Sequence, residues 1–199
     1  MKIETASRLN HFKTGIFAAL NEKKEQLLAS GRKVYNLSVG TPDFPVAEHV
    51  QKALIDAARD PDKFHYTLRD IPELTAAVKD YYERRFGVTV SEDEIVAMPG
   101  SQEGVAHLGM ALCNPGDVVL LPNPGYPVFE VGAYLGEAEL YFYDLKEEND
   151  FLPRLDEIPE DIARRAKYIM VSYPYNPVCA IAPPEFYDEL IAFAEKIFC

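Results

Sequence analysis

From residue 94 onward, apolar runs of strand length alternate with segments of helix length. Three of the runs stop at turns rich in proline, glycine and tyrosine: residues 94–101 (EIVAMPGS), 118–127 (VVLLPNPGYP) and 167–177 (KYIMVSYPYNP). Alternation at this spacing predicts right-handed crossovers in a mostly parallel sheet, hence an α/β fold. Ligands of such sheets bind beyond the carboxyl ends of the strands, so three such turns in succession describe one pocket wall.

The remaining segments arrange themselves around that block. Leu9, Phe12, Ile16, Phe17, Leu20, Leu27 and Leu28 recur near helical spacing and predict an N-terminal amphipathic helix that ends at Ser30-Gly31. Residues 34–39 read as a short strand stopped by the proline-rich 40–45 (GTPDFP). Helices are expected over about 47–58 and 71–86, with a turn-like stretch at 60–70, containing Tyr66, between them. A strand to Met98, a helix over 102–113, a strand to Leu121, a helix near 126–135 and a strand over 139–143 follow. Residues 146–165 read as irregular and acidic, residues 168–172 as a strand, and a last helix opens at Pro183 or Pro184. Its apolar face (Phe186, Leu190, Ile191, Ala194, Ile197, Phe198) is still running at Cys199, which predicts a chain cut inside a domain.

Charge narrows the class of partner. With 20 Lys and Arg against 32 Asp and Glu, a formal net charge of −12 and no basic block, the chain lacks a nucleic-acid footprint and a polybasic membrane face. Small-molecule partners are favoured. No apolar stretch approaches the roughly 20 residues of a membrane span, and the first residues (MKIETASRLNHF) lack a signal-peptide core, so the cytoplasm is the expected location. Cys113, Cys179 and Cys199 are odd in number and widely spaced, which fits a reducing compartment. His11, His49, His65 and His107 show no zinc-helix pairing, and no metal is expected.

Several residues in the turns can carry chemistry. Ser101 follows Met98-Pro-Gly at a junction into a helix, where free backbone N–H groups and a hydroxyl make a phosphate cradle. Tyr126 stands between two prolines, which suits a ring held flat against a ligand. The Asn176 amide can donate to a ring oxygen or accept from an N–H. Each also has a purely structural reading, as an N-cap, a core tyrosine and a turn former respectively. There is no G-x-G-x-x-G, no G-x-x-x-x-G-K-[ST] and no G-x-S-x-G, which lowers the case for a dinucleotide site, a P-loop or a hydrolase elbow.

Together these residues resemble the fold-type I, class I/II aminotransferases, which depend on pyridoxal phosphate. The motifs match in order and spacing: Leu37-Ser-Val-Gly-Thr-Pro-Asp-Phe-Pro45, Gly100-Ser-Gln-Glu-Gly104, Asn114-Pro-Gly-Asp117, Pro124-Gly-Tyr-Pro127 and Tyr173-Pro-Tyr-Asn-Pro177. The wording looks closest to the aspartate and LL-diaminopimelate aminotransferase-like branch, over about the first half of a full-length member. The resemblance implies a three-layer α-β-α large domain with a mostly parallel sheet, incomplete in this chain. Residues 1–44 would form an N-terminal arm and part of the small domain, and residues 45–199 the first portion of the cofactor-binding large domain. It further implies that Ser101 and Gln102 hold the cofactor phosphate, Tyr126 stacks on the pyridine ring and Asn176 bonds its 3′-oxygen. Tyr66 would reach the phosphate of a neighbouring subunit in a homodimer, and Gly40 would approach the substrate α-carboxylate.

Two departures bear on that reading. The family's Asn-Pro-Thr-Gly is Asn176-Pro-Val-Cys179 here, so if this turn needs a positive φ, Cys179 costs on the order of 1 kcal/mol. Asp70 stands near where many relatives place glycine. The lysine that carries the cofactor lies downstream in the family, on a Ser-x-x-Lys stretch outside this chain; Ser30-Gly-Arg-Lys33 has that spacing in the wrong place and is a decoy. The expected activity is amino-group transfer between an amino acid and a 2-oxo acid, not completed by this chain alone. The alternatives are a non-catalytic remnant or interaction module that binds cofactor weakly, and a Rossmann-like nucleotide binder.

Overall fold

The computed structural model describes residues 4–12, 16–37, 40 and 42–198. Its contacts divide into two compact units, Thr14–Ala97 and a second formed by Met1–Lys13 with Met98–Cys199.

The first unit is helical. It contains α1 (Ile16–Ala29), α2 (Glu48–Ala58) and α3 (Pro72–Phe86). Each boundary has a local cause. α1 stops where Gly31 takes φ 78°, its N–H bonding the Leu28 carbonyl at 2.9 Å while the Ser30 hydroxyl donates to Leu27 at 2.7 Å. α3 opens on Pro72, whose missing N–H is harmless in a first turn, and closes at the left-handed Gly87. From Ala18 onward no described residue of this unit is buried.

The second unit holds the sheet. β1 (Val118–Asn123) lies between β2 (Glu139–Asp144) and β3 (Ala166–Ile169), all parallel, in the order β2-β1-β3. β1 is buried along Val118, Val119, Leu120, Leu121 and Pro122, as a central parallel strand covered on both faces must be. Val118 and Leu120 join Tyr143, Leu145, Ile158, Ala163, Ala166 and Tyr175 on one side, while Val119 and Leu121 join Ala133 on the other. α5 (Val128–Leu135) covers the second side; α6 (Glu160–Arg165) and α7 (Pro184–Phe198) bring Ala163, Phe193 and Ile197 to the first. The layers are therefore helix, parallel sheet and helix. α4 (Ser101–Leu112) packs along α5, the two backbones meeting at Gly109 and Gly132. At the start of the sheet the Arg165 guanidinium donates to the Gly116 carbonyl at 3.0 Å and pairs with Glu139 at 2.5 Å. At the other end the Asn123 amide donates to Asp144 at 2.8 Å.

Four expectations need correction. Residues 95–98 are not a strand: Ile95 is extended (φ −117°, ψ 126°), but no other segment among the described residues pairs with this one, and Val96 is 72% exposed. An extended backbone becomes a strand only when a neighbour takes its hydrogen bonds. Instead the segment follows a short 3₁₀ turn, Glu92–Glu94, where the Ser91 N–H and hydroxyl both donate to Glu94 at 2.8 Å and hold its carboxyl below the usual range. Residues 34–37 likewise carry no strand, and Ser38 and Val39 lie outside the described residues. The single N-terminal helix is a 3₁₀ turn, Ser7–His11, plus α1. The turn is held on α5, with the His11 ring stacked on Tyr134 at 4.3 Å and Arg8 paired with Glu137 at 2.8 Å. Finally, α6 occupies part of the stretch read as irregular, and β3 begins at Ala166 rather than at Tyr168.

Candidate functional site

At the carboxyl end of β1 the chain turns through Asn123-Pro-Gly-Tyr-Pro127, and beyond β3 it turns through Tyr173-Pro-Tyr-Asn-Pro177. The Asn123–Pro124, Tyr173–Pro174 and Asn176–Pro177 bonds are all cis. Gly125 folds the first turn back on β1 so closely that a Cβ there would meet the Pro122 carbonyl oxygen at 2.5 Å. Tyr126 then emerges half-buried, edge-on to Phe129 with centroids 6.0 Å apart.

α4 begins beside this turn. Gly100 precedes it at φ 93°, a conformation that favours glycine, and no atom lies within 4 Å of where its Cβ would be. The Glu103 N–H bonds the Gly100 carbonyl at 3.2 Å, and helix geometry leaves the N–H groups of Ser101 and Gln102 without an intrahelical carbonyl. The Ser101 and Gln102 side chains are exposed. Gln102 Nε2 donates to the Tyr126 hydroxyl at 2.6 Å, tying the helix start to the first turn.

Asn176 is exposed on the second turn. The residue before it, Tyr175, is buried, and its hydroxyl donates to the Pro124 carbonyl of the first turn. Burial pushes the Tyr175 and Tyr173 hydroxyls up to about 12 and raises Tyr143 further, so all three stay protonated donors at neutral pH. Tyr173 donates to the Phe151 carbonyl at 2.8 Å and Tyr143 to the Met170 carbonyl. Cys179 does occupy the left-handed region at φ 57°, with its N–H on the Tyr175 carbonyl at 2.5 Å.

Ser101, Gln102, Tyr126 and Asn176 thus lie in one unit, on three segments tied by the Gln102–Tyr126 and Tyr175–Pro124 bonds. Tyr66 and Gly40 belong to the other: Tyr66 is 89% exposed, and no atom lies within 4 Å of a Cβ built on Gly40, whose neighbours Val39 and Thr41 lie outside the described residues. Asp70 accepts a hydrogen bond from the Ala97 N–H at 2.9 Å, which gives its carboxylate a structural role. Lys33 follows the α1 stop signal with its ammonium 4.9 Å from the Tyr35 ring centre. Burial raises the Cys113 thiol, Cys179 is exposed, and Cys199 lies outside the described residues. Among the described residues no group of three or more His, Cys, Asp or Glu is placed to hold a metal, and no helix is long and apolar enough to cross a membrane. Sequence reasoning missed Tyr175 as the link between the turns.

A three-layer α/β unit with its polar turns gathered beyond parallel strand ends belongs to a class of small-molecule enzymes and binding proteins. Comparison with known proteins narrows it: residues 32–198 match the family model for aminotransferase class I and II. The chain belongs to that family, whose members depend on pyridoxal phosphate. It is 40% identical over 198 residues to an LL-diaminopimelate aminotransferase of Syntrophobacter fumaroxidans, covering 98% of this chain and 51% of that protein. Against the LL-diaminopimelate aminotransferase of Aquifex aeolicus it is 40% identical over 195 residues, 97% of this chain and 50% of the relative. The apo structure of BacF from Bacillus subtilis superposes with a TM-score of 0.91 at 35% identity, over 99% of this chain and 51% of that one. The chain spans about half the length of the curated relatives it matches.

Proposed function

We propose that this chain forms the cofactor-holding part of an aminotransferase that moves an amino group between an amino acid and a 2-oxo acid. The observation that carries the reading is the linkage of the open α4 N-terminus, Tyr126 and the Asn176 turn in one hydrogen-bonded set. The residues present fit pyridoxal phosphate. The backbone N–H groups of Ser101 and Gln102, with the Ser101 hydroxyl, suit its dianionic phosphate. Gln102 has a second amide hydrogen to give while the first is held on Tyr126. Tyr126, fixed at its hydroxyl, presents a ring face, and the exposed Asn176 amide can donate to the 3′-oxygen. When bound, the cofactor supplies an electron sink for the substrate's α-carbon.

In the whole protein, Tyr66 reaches the phosphate of a second subunit of a homodimer, and Gly40 approaches the substrate carboxylate. Residues 1–44 contribute an arm and part of a small domain, and residues 45–199 the start of the large domain. The LL-diaminopimelate aminotransferases it matches support an amino-acid donor. The group that carries the cofactor and moves the substrate's α-proton is supplied from outside these residues, so the chain by itself binds cofactor and does not transaminate. Pyridoxamine 5′-phosphate, which needs no lysine, is the direct probe. Saturable binding to the purified chain, weakened by Tyr126→Ala and by Asn176→Ala, is expected. A chain that fails to bind, or variants that bind equally well, would leave the interaction-module alternative.

A further inference from the structure

We infer that Tyr175 is a positioning residue for the cofactor site: its buried hydroxyl fixes the turn that carries Tyr126 to the turn that carries Asn176, setting the ring-facing and oxygen-facing groups relative to each other. The inference rests on the cofactor reading above.

Every polar group of Tyr175 is committed. Its N–H donates to the Ala180 carbonyl at 2.8 Å, its own carbonyl accepts from the Cys179 N–H at 2.5 Å, and its hydroxyl donates to the Pro124 carbonyl. The ring, 1% exposed, packs in the core with Val118, Leu120 and Tyr143 and leans on Tyr173 with centroids 5.8 Å apart. A close-packed interior gives such a ring no second place to go. The accepting carbonyl is well chosen, because it belongs to the residue before Gly125, where the turn is tightest against Pro122. Shifting Pro124 redirects the backbone that delivers Tyr126 two residues later. The Tyr126 turn is then held at three points: Asn123, whose carbonyl accepts from the Leu145 N–H at 2.8 Å; Pro124 by Tyr175; and the Tyr126 hydroxyl by Gln102. Of these, the Tyr175 bond alone reaches the Asn176 turn.

The test is Tyr175→Phe, which keeps the ring and its packing and removes one oxygen. Two readouts are taken on the whole chain: the ¹⁹F resonance of 3-fluorotyrosine installed at Tyr126 without ligand, and the affinities for pyridoxamine 5′-phosphate and for inorganic phosphate. The expected result is a shifted or broadened Tyr126 resonance and pyridoxamine 5′-phosphate binding about two- to tenfold weaker, the range one neutral hydrogen bond carries. Phosphate affinity at the α4 N-terminus should stay unchanged. A merely structural tyrosine would lower the melting temperature and leave both the resonance and the ratio of the two affinities alone, and that result would overturn the inference. A ¹⁹F change on substitution, in a protein whose wild-type chain binds no pyridoxamine 5′-phosphate, would overturn the cofactor reading, and the positioning role with it.

Discussion

Replacing Gly109 with alanine should break the contact on which the α4–α5 layer rests. A Cβ at Gly109 would lie 1.9 Å from the Gly132 carbonyl oxygen, 2.2 Å from its carbon and 2.8 Å from the Ala133 nitrogen. All three are backbone atoms, so no side chain can swing aside. Reaching even the 3.0 Å that real contacts respect parts the helices by about 1 Å along a close-packed seam. Overpacking of this kind costs about 1–3 kcal/mol, with an unyielding partner at the upper end, and the helix propensity of alanine returns about 1 kcal/mol. The net is a loss of about 2 kcal/mol, or a melting temperature about 4–8 °C lower for a chain of this size. Gly104→Ala on the same helix is the control, because its Cβ meets only the Met98 Sδ at 2.5 Å and Cε at 3.0 Å. Both are the free end of a flexible side chain, so propensity should prevail and stability stay level or rise by up to about 1 kcal/mol. Thermal unfolding followed by far-ultraviolet circular dichroism compares the two variants directly. Equal effects would refute the reasoning, since the substitution is identical and only the rigidity of the neighbour differs.

Other outcomes follow from the same structure. Cys179→Gly should stabilise the chain by about 0.5–1 kcal/mol in urea unfolding, because glycine removes the left-handed penalty at φ 57°; Cys179→Ala should not, and a gain from alanine would point to the thiol instead. Tyr173 and Tyr175, pushed up to about 12 by burial, keep their stabilising contribution at all pH below about 10. That contribution is lost as pH rises from 10 through 12, so phenolate absorbance should appear together with loss of structure; ionisation of every tyrosine below pH 10.5 with the fold intact would contradict it. Amide hydrogen exchange should be faster across α1, α2 and α3, where from Ala18 onward no described residue is buried, than across β1, whose core residues are at most 1% exposed. Incubation with pyridoxal phosphate and borohydride should label no single lysine preferentially, Lys33 included; one stoichiometric adduct by mass spectrometry would give this chain a carrier lysine of its own.

Signals confined to a few neighbouring residues were legible in the sequence. The 3.6-residue period marked α2, α3 and α7, the alternation of strand-length and helix-length segments marked α4 and α5, and the short apolar run with its proline stop marked β1. A strand, however, is a relation between segments. Residues 95–98 have strand composition and Ile95 is extended, yet nothing in their own sequence says whether a neighbour is present to bond them. α6 (EDIARR) was missed because six residues, four of them charged, are too short to display a period. At the candidate site the residue types were readable turn by turn, whereas the Gln102–Tyr126 bond joins positions 24 apart and the Tyr175–Pro124 bond positions 51 apart. No local pattern encodes such partners. Tyr175 looked like one more aromatic residue in a tyrosine-rich turn until the fold brought Pro124 to its hydroxyl.

The burial of β1 on both faces leaves the sheet with a problem of alignment. Where one face is wet, a one-residue slip would put apolar side chains in water and polar ones in the core, and that penalty selects the register. On β1 a slip exchanges the pair Val118 and Leu120 for the pair Val119 and Leu121, so apolar patterning is nearly silent about which alignment is right. The choice passes to the strand ends, where Arg165 joins Gly116 and Glu139 at the start of the strands and Asn123 meets Asp144 where β1 and β2 finish. An ion pair as exposed as Arg165–Glu139 adds little to stability. Its larger effect is to make one alignment of three strands distinguishable from its neighbours, and so to decide which turns arrive together at the far end of the sheet.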